Sequence, residues 1–355
     1  MAHATIPAVQ RATADARIAL TEYQLRFLEA YSGLQDDPLV ALGAQETTDK
    51  LITKWPMAVG DPLFQKLVNE SPAYRKLGEI FLDISSDKYG DGVTESAERL
   101  RSAEWARRGW GMEPKKKAQA AMLLRSRVIA TAIQACKTTK SPENVDGSST
   151  IKFCAASHPC DPFGNNSATY SNLHTSMALT VPNIETMWGR IKSIKAQNGT
   201  DYRNLVWTHV LVSTAQELEA TRLFGDEYIL VASDVNATPG ANAPLVLRPN
   251  PVRKFGVQVV SSPYLTDSGV WYPICADMGE APWVSLTRVL NASVPGMPSP
   301  GVVGADGFEW TIDDETSELY KHGNKVGPKG SLGIAAQLEV GAALTIPWRF
   351  HRCEP

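Results

Sequence analysis

Cys154, His158 and Cys160 are the residues of this sequence whose types and spacing could do chemistry. Thiolate sulfur and imidazole nitrogen are both good ligands of zinc, and Cys136 or His174 could supply a fourth ligand. The Cys-x3-His-x-Cys spacing matches no common zinc module, and a free cysteine often serves only as a small buried apolar residue. We therefore predict no metal site, with these three residues as the candidates for zinc if one exists.

Motifs of the common catalytic and nucleotide-binding sites are missing from the sequence. It holds no Gly-x-Ser-x-Gly nucleophile elbow, no Gly-x4-Gly-Lys-Ser/Thr phosphate loop and no Gly-x-Gly-x-x-Gly after a strand. Carboxylate pairs such as Asp226-Glu227 lie beside turn-forming residues, where solvated acids are expected. We predict no catalytic residue, no cofactor and a protein that is not an enzyme.

A basic stretch covers residues 96–140, with eleven basic residues against three acidic ones. One interpretation is a face turned toward nucleic acid, with Lys115, Lys116, Lys117 and Arg125 as candidates. The other is a solvated helix face whose charges pair with other subunits, which is the usual role of a charge run. The stretch has no aromatic interleaving for base stacking, so we predict no sequence-specific DNA recognition.

The same stretch predicts one long helix. Pro114 suits a first helical turn. An apolar stripe follows at helical spacing and predicts the face that packs on the core. Its members are Ala118, Met122, Ile129, Ile133 and Cys136.

Composition limits the class of protein. The 355 residues can bury a large core and carry a net charge of −3, which is too acidic for a protein that binds DNA with its whole surface. No apolar run is long enough to span a membrane, and the first residues lack the pattern of a signal peptide. Five cysteines favour free thiols in a reducing compartment over a disulfide framework.

The region 205–276 contains the strongest secondary-structure signals. The β-branched run Leu205–Val212 predicts a strand. Thr214 and Glu217 then form the pattern of a capping box, which predicts the start of a helix. Two later apolar runs, 255–260 and 270–275, predict a hairpin with a turn-rich connection.

The flanking regions give weaker signals. Apolar residues from Ile18 to Leu28 predict a helix, which packs either on its own core or, as the preferred alternative, on a neighbouring subunit. Lys76–Ile84 suits a strand, and Tyr89–Gly92 has the composition of a turn. Strand-like pieces in the tail begin at Phe308, Ile334 and Ala343 and are expected to pair with earlier strands.

Three phrases in this order resemble the major capsid proteins of tailed phages with the Hong Kong 97-type fold, and most of all the Mu-like major head subunits. The first phrase is Ser157–Leu173, the second is the strand that leads into Ser213–Leu218, and the third is Ser261–Pro273. The resemblance is strong over 150–290 and weak over the rest of 50–350.

The resemblance implies an α+β capsid fold with an N-terminal arm, an E-loop, a P-domain with a spine helix and a long sheet, and an A-domain. The implied divisions are an arm over 1–50, an E-loop region over 51–95, a P-domain with spine helix and loop over 96–180, an A-domain over 181–300 and a return to the P-domain over 301–355. The basic candidates would then face the lumen of the shell.

The implied function is a structural head protein that assembles with itself into hexamers and pentamers of an icosahedral shell around double-stranded DNA. Expected partners are scaffolding, portal and decoration or cement proteins and, without specificity, the packaged DNA; no membrane is expected. The protein would be made in the host cytoplasm and reside in the virion. Because the E-loop candidate begins near residue 50, we expect a separate scaffolding protein. Two alternatives stay open: an encapsulin-like compartment shell, and a cytosolic metal-dependent enzyme that uses Cys154, His158 and Cys160.

Overall fold

The computed structural model describes residues 22–34, 37–48, 52–59, 78–96, 112–141, 151–161, 167–232, 245–276, 281–288, 309–313, 321 and 331–355. Helices and several sheets mix along the chain, so the predicted α+β class is confirmed. The helices are α1 (22–32), α2 (Pro38–Leu42), α3 (Glu113–Gln134), α4 (Val181–Lys192) and α5 (Glu217–Gly225). Among the described helices, none is long and apolar enough to cross a membrane.

The strands divide into groups along the chain. The first half contains β1 (Ala44–Thr48), β2 (Ile52–Val59), β3 (Gly78–Ser85), β4 (Asp87–Ser96), β5 (His158–Pro159), β6 (Thr169–Tyr170) and β7 (Leu173–His174). The second half contains β8 (His209–Ser213), β9 (Tyr228–Ala232), β10 (Leu245–Pro249), β11 (Gln258–Ser262), β12 (Trp271–Ile274), β13 (Trp283–Arg288), β14 (Glu309–Asp313), β15 (Ser331–Leu344) and β16 (Arg352–Cys353).

A sheet built on β15, which we call the long sheet, organises one half of the structure. β15 pairs antiparallel with β4 along one edge and with β13 and β14 along the other, and β1 extends the sheet beyond β13. At 14 residues β15 spans about 45 Å. The tail thus returns to pair with earlier strands, as predicted.

The predicted turn at Tyr89–Gly92 is wrong, because these residues lie inside β4. Gly90 pairs with Gln337 and Gly92 with Ala335. A Cβ atom on either glycine would come within 3.0 Å of the side chain opposite. The glycines therefore let two strands approach each other, and a turn is not their role.

Helix α3 lies on the long sheet through its predicted apolar stripe. Pro114 is in its first turn, and all five stripe residues are buried, so this prediction is confirmed. Ala118 and Met122 join Ile334 and Leu338 of β15 in one core cluster. Residues 97–111 of the predicted helical stretch lie outside the described residues.

Helix α1 packs on its own chain, which is the first of the two alternatives for the N-terminal helix. Its buried residues are Tyr23, Phe27 and Tyr31, and the Phe27 ring meets the Trp310 ring edge-on at 5.1 Å. Leu25, one of the apolar residues whose spacing predicted this helix, is 61% exposed. Rings spaced four residues apart bury more apolar area than the leucines do, and they set the orientation of the helix.

A second sheet, which we call the mixed sheet, has the order β11-β8-β12-β16-β7. β8 pairs in parallel with β11 and antiparallel with β12. The predicted hairpin of 255–260 with 270–275 is therefore wrong, since β8 lies between these two strands. Val210 and Leu211 of β8 point into different core clusters, so this interior strand of the sheet is buried on both faces.

The three sequence phrases meet at this mixed sheet. The first phrase ends at β7, the second includes the end of β8, and the third contains the end of β11 and the start of β12. The predicted helix after β8 forms, but it begins with a short 3-10 turn at Thr214–Gln216 and has no side-chain capping bond. The capping box at Thr214 is therefore wrong, although the helix begins in its place.

Candidate functional site

Strands β2 and β3 form a two-stranded ribbon. β2 and β3 pair antiparallel over eight positions, from Ile52 with Ser85 to Val59 with Gly78, and form a sheet of their own. Ile84 is buried beside Val284 and Leu286 of β13, which anchors the base of the ribbon to the long sheet. A two-stranded ribbon is at best marginally stable alone in water, so its length calls for a second surface to lie on.

Exposed apolar side chains mark surfaces that a single chain leaves uncovered. Ile52 at the base of the ribbon is 56% exposed. Tyr228 and Leu247 are also exposed and lie in the antiparallel pair of strands β9 and β10. Single exposed apolar residues are ordinary, but these stand on extended two-stranded elements, where contact with another chain would cover them.

The four basic candidates divide into two kinds. Lys115 and Lys116 are exposed on the first turns of α3. The Lys117 side chain is only 12% exposed, and its ammonium group pairs with Asp91 of β4 at 3.0 Å. Arg125 is half-buried, with its guanidinium 5.8 Å from the centre of the Tyr31 ring. Lys117 and Arg125 thus tie α3 to its own chain, and Lys115 and Lys116 remain as candidates for contact with nucleic acid.

The three metal candidates do not come together. Cys154 lies in one core cluster and Cys160 in another, and the His158 ring stacks on the Tyr170 ring at 5.1 Å. No group of three or more His, Cys, Asp or Glu side chains that could hold a metal ion occurs among the described residues. These residues, with Cys136 and His174, do not form the cluster that the enzyme alternative requires.

A chain of hydrogen bonds leads from the surface to the interior at the edge of the mixed sheet. The Arg190 Nη1 atom of α4 lies 2.9 Å from His174 Nδ1. A guanidinium group only donates, so His174 Nδ1 accepts, and neutral His174 carries its proton on Nε2. His174 Nε2 lies 3.3 Å from Nδ1 of His351, and the two buried rings stack. The pair thus joins α4 and β7 to the segment before β16.

Burial and neighbouring charge keep both histidines neutral. Burial, together with the Arg190 guanidinium, lowers the pKa of His174 to about 4. Burial, with His174 and His158 nearby, holds the pKa of His351 well below its usual value, against a smaller opposing effect of the Trp348 backbone carbonyl. Protonation of either ring would create a buried positive charge. No carboxylate contributes to the pKa shift of either histidine, so none favours that charge.

Arg352 of β16 is a buried arginine with several side-chain partners. Its guanidinium pairs with Asp267 at 2.7 Å and with Glu354 at 2.8 Å, and it donates to the Tyr272 hydroxyl at 3.0 Å. Lys137 at the end of α3 reaches the same Glu354 carboxylate at 3.0 Å. The network fixes the last strand of the chain to the loop before β12 and to α3.

Arg352 and His351 could not be predicted as a network from the sequence. Their partners Asp267 and His174 lie 85 and 177 residues away along the chain, so no local spacing relates them. The available signal was two basic residues and a histidine set among Trp348, Phe350 and Cys353. Charges in such an apolar run are buried only when they are paired.

No family model and no curated protein matches the chain. Among solved structures, it is similar to the procapsid of bacteriophage JBD30, with 10% identity, 98% of this chain and 75% of that chain covered, and a TM-score of 0.47. It is similar to the capsid of the Cyanophage P-SCSP1u, with 8% identity, 91% of this chain and 90% of that chain covered, and a TM-score of 0.46. It is also similar to the holo-SrpI encapsulin complex from Synechococcus elongatus PCC 7942, with 11% identity, 89% of this chain and 85% of that chain covered, and a TM-score of 0.43.

Proposed function

We propose that this chain is the major capsid protein of a tailed phage, a structural protein with the Hong Kong 97-type fold that assembles into a closed shell around double-stranded DNA. The observation that carries the proposal is the β2–β3 ribbon, a sheet of two strands in which Ile84 packs against β13 while Ile52 stays exposed. Such an element gains stability by lying on a second subunit. The convergence of the three sequence phrases on the mixed sheet supports the choice of family.

The structural parts take the following roles in the proposal. The β2–β3 ribbon is the E-loop, and β4 belongs with the long sheet although it lies within the expected E-loop region 51–95. Helix α3 and the long sheet form the P-domain. The mixed sheet with α4 and α5 forms the A-domain core, to which β7 and β16 contribute from outside the expected division 181–300.

The finer assignments belong to the same proposal. The family is the Mu-like head subunits, the shell consists of hexamers and pentamers, and the protein is made in the host cytoplasm. Scaffolding, portal and cement proteins would be its partners, and its interface area would exceed a standard contact of about 1,600 Å² because the ribbon extends the contact. The protein would not be an enzyme.

Assembly tests the proposal. The purified chain should sediment as closed particles, or as capsomers that convert to them, and electron microscopy should show shells. Ile52→Asp should give a subunit that melts like the parent but forms no shells, because the exposed apolar base of the ribbon would face a neighbour. Ile52→Val keeps the apolar surface and should assemble.

Two outcomes would count against this function. A chain that stays monomeric at high concentration under every assembly condition would exclude a shell protein. Shells that hold protein cargo and no nucleic acid, judged by their ultraviolet absorbance after purification from the host, would favour the compartment alternative.

Contact with DNA is tested by the double variant Lys115→Gln and Lys116→Gln. Empty shells should form normally, and DNA-filled shells should lose stability, since removing phosphate contacts weakens a salt-dependent attraction. Lys117 is left unchanged because of its ion pair with Asp91. The matched control is Arg253→Gln with Lys254→Gln, two exposed basic neighbours elsewhere; the ion pair of Arg253 with Glu227 lies on the surface and contributes little. Failure of the empty shells as well would assign the two lysines to subunit contacts.

A further inference from the structure

Two of the five buried cysteines, Cys136 and Cys154, are neighbours where α3 ends. The Cys154 backbone N–H donates to the Cys136 carbonyl oxygen at 2.9 Å, and the Phe153 N–H donates to Thr139 in the same way. Covalent bond lengths then limit the separation of the two Cα atoms to at most about 7 Å. Natural disulfides join Cα atoms roughly 4.4–6.8 Å apart, so little movement of the backbone is required.

The side chains of this pair also face each other and differ in their surroundings. A hydrogen bond with the Cys154 thiol is the largest influence that lowers the pKa of Cys136. The Arg352 guanidinium, whose Nη1 atom lies 3.9 Å from Cys136 Sγ, acts in the same direction. Burial raises the pKa of Cys154. Cys136 is therefore the sulfur that would react first, and Cys154 the one that would resolve the product.

We propose that Cys136 and Cys154 form an intrachain disulfide bond when the protein meets hydrogen peroxide, and that this bond ties the end of α3 to the segment 151–155. The inference does not depend on the proposed function. It assigns a modification site to two of the five cysteines, for which the composition of the sequence favoured free thiols.

The reaction needs one molecule of peroxide as oxidant. The Cys136 thiolate attacks one peroxide oxygen, the O–O bond breaks, and the departing hydroxide takes up a proton to become water, leaving a sulfenic acid. The Cys154 thiol then loses its proton, and its sulfur attacks the Cys136 sulfur. The S–O bond breaks, and the hydroxyl leaves as water. Two thiols have lost two electrons and two protons, and the peroxide has become two waters.

Burial of the two thiols should slow their oxidation. Cys136 is 0% and Cys154 3% exposed, so a small oxidant must enter during local opening. We expect oxidation of the native chain to be slower than that of an exposed thiol in a peptide. Once formed, the bond closes a loop between residues 136 and 154, restricts the unfolded chain and should raise the melting temperature.

Mass spectrometry of the full chain after peroxide treatment and alkylation tests the proposal. Before alkylation the expected product is two hydrogen atoms lighter than the reduced chain. After alkylation in denaturant it carries three alkyl groups, against five on the reduced chain, and it yields one peptide that joins Cys136 to Cys154. A reductant should reverse both the mass change and the rise in melting temperature. Cys353→Ala should keep the link, because the Cys353 thiol donates to the Met187 sulfur.

Specific results would overturn the proposal. A link from Cys154 to Cys353 or sulfinic acids without a link would each exclude the assigned pair. Thiols that stay unreacted for many times the period that fully oxidises an exposed thiol in a peptide would exclude it as well. Cys136→Ala and Cys154→Ala should each abolish the link. If either variant fails to fold, the peptide map of the parent chain decides, because it identifies the linked residues without a substitution.

Discussion

Arg352→Met is expected to lower the free energy of unfolding by about 3–5 kcal/mol, the usual loss when one partner of a buried ion pair is removed. The Arg352 side chain is 8% exposed and pairs with both Asp267 and Glu354. Methionine fills much of the same volume, so the loss would come from taking the guanidinium away from Asp267, Glu354 and the Tyr272 hydroxyl. Lys137 would still pair with Glu354, and the Tyr272 hydroxyl would still donate to Asp267. Urea denaturation of the unassembled subunit measures the effect.

A surface arginine supplies the matched control for this substitution. Arg253 and Glu227 form an ion pair at 3.6 Å, with both side chains more than half exposed. Arg253→Met should therefore cost less than about 1 kcal/mol. Adding Asp267→Asn to Arg352→Met should recover part of the loss, because the uncompensated charge is removed. Equal losses for the two arginines would show that the buried network does not hold the last strand in place.

Local periodicity was enough to predict the helix α3 and its buried face. Residues three and four apart share a helix face, so the stripe from Ala118 to Cys136 determines what packs on the core whatever the partner is. The strands β8 and β12 were recognised for a similar local reason, from β-branched and aromatic runs. The class of the fold follows from such elements and was confirmed.

Pairing between distant residues could not be predicted in the same way. The order of β11, β8 and β12 depends on which strand is buried on both faces, and that depends on helices packed from elsewhere in the chain. Gly92 looked like a turn residue because nothing local shows that Ala335 lies opposite it. The metal candidates show the opposite case, in which residues close in sequence lie apart in the fold. Cys154 and Cys160 enter different core clusters, so they do not form one site.

Acidification is expected to destabilise the chain between pH 6.5 and pH 4. The lowered pKa of His174 sets this range, and the lowered pKa of His351 adds to the loss of stability. The pKa of His174 is about 4 in the folded chain, against 6.5 for an unperturbed histidine. The unfolded chain therefore binds a proton first, so the stabilisation is complete above pH 6.5 and is lost as the pH falls toward 4. The difference of about 2.5 pKa units corresponds to roughly 3 kcal/mol from this group.

Two variants test whether the His174 pair causes this acid sensitivity. His174→Asn keeps an acceptor near Arg190 but cannot titrate, so the slope of stability against pH should flatten over this window. Arg190→Gln removes the charge that helps to lower the pKa of His174, so the folded-state value should rise and the acid-induced loss should shrink. Urea denaturation of each unassembled variant at several pH values from 7 to 4 gives the slopes. An unchanged slope in His174→Asn would assign the acid sensitivity to other groups, such as His209, whose pKa is also lowered by burial.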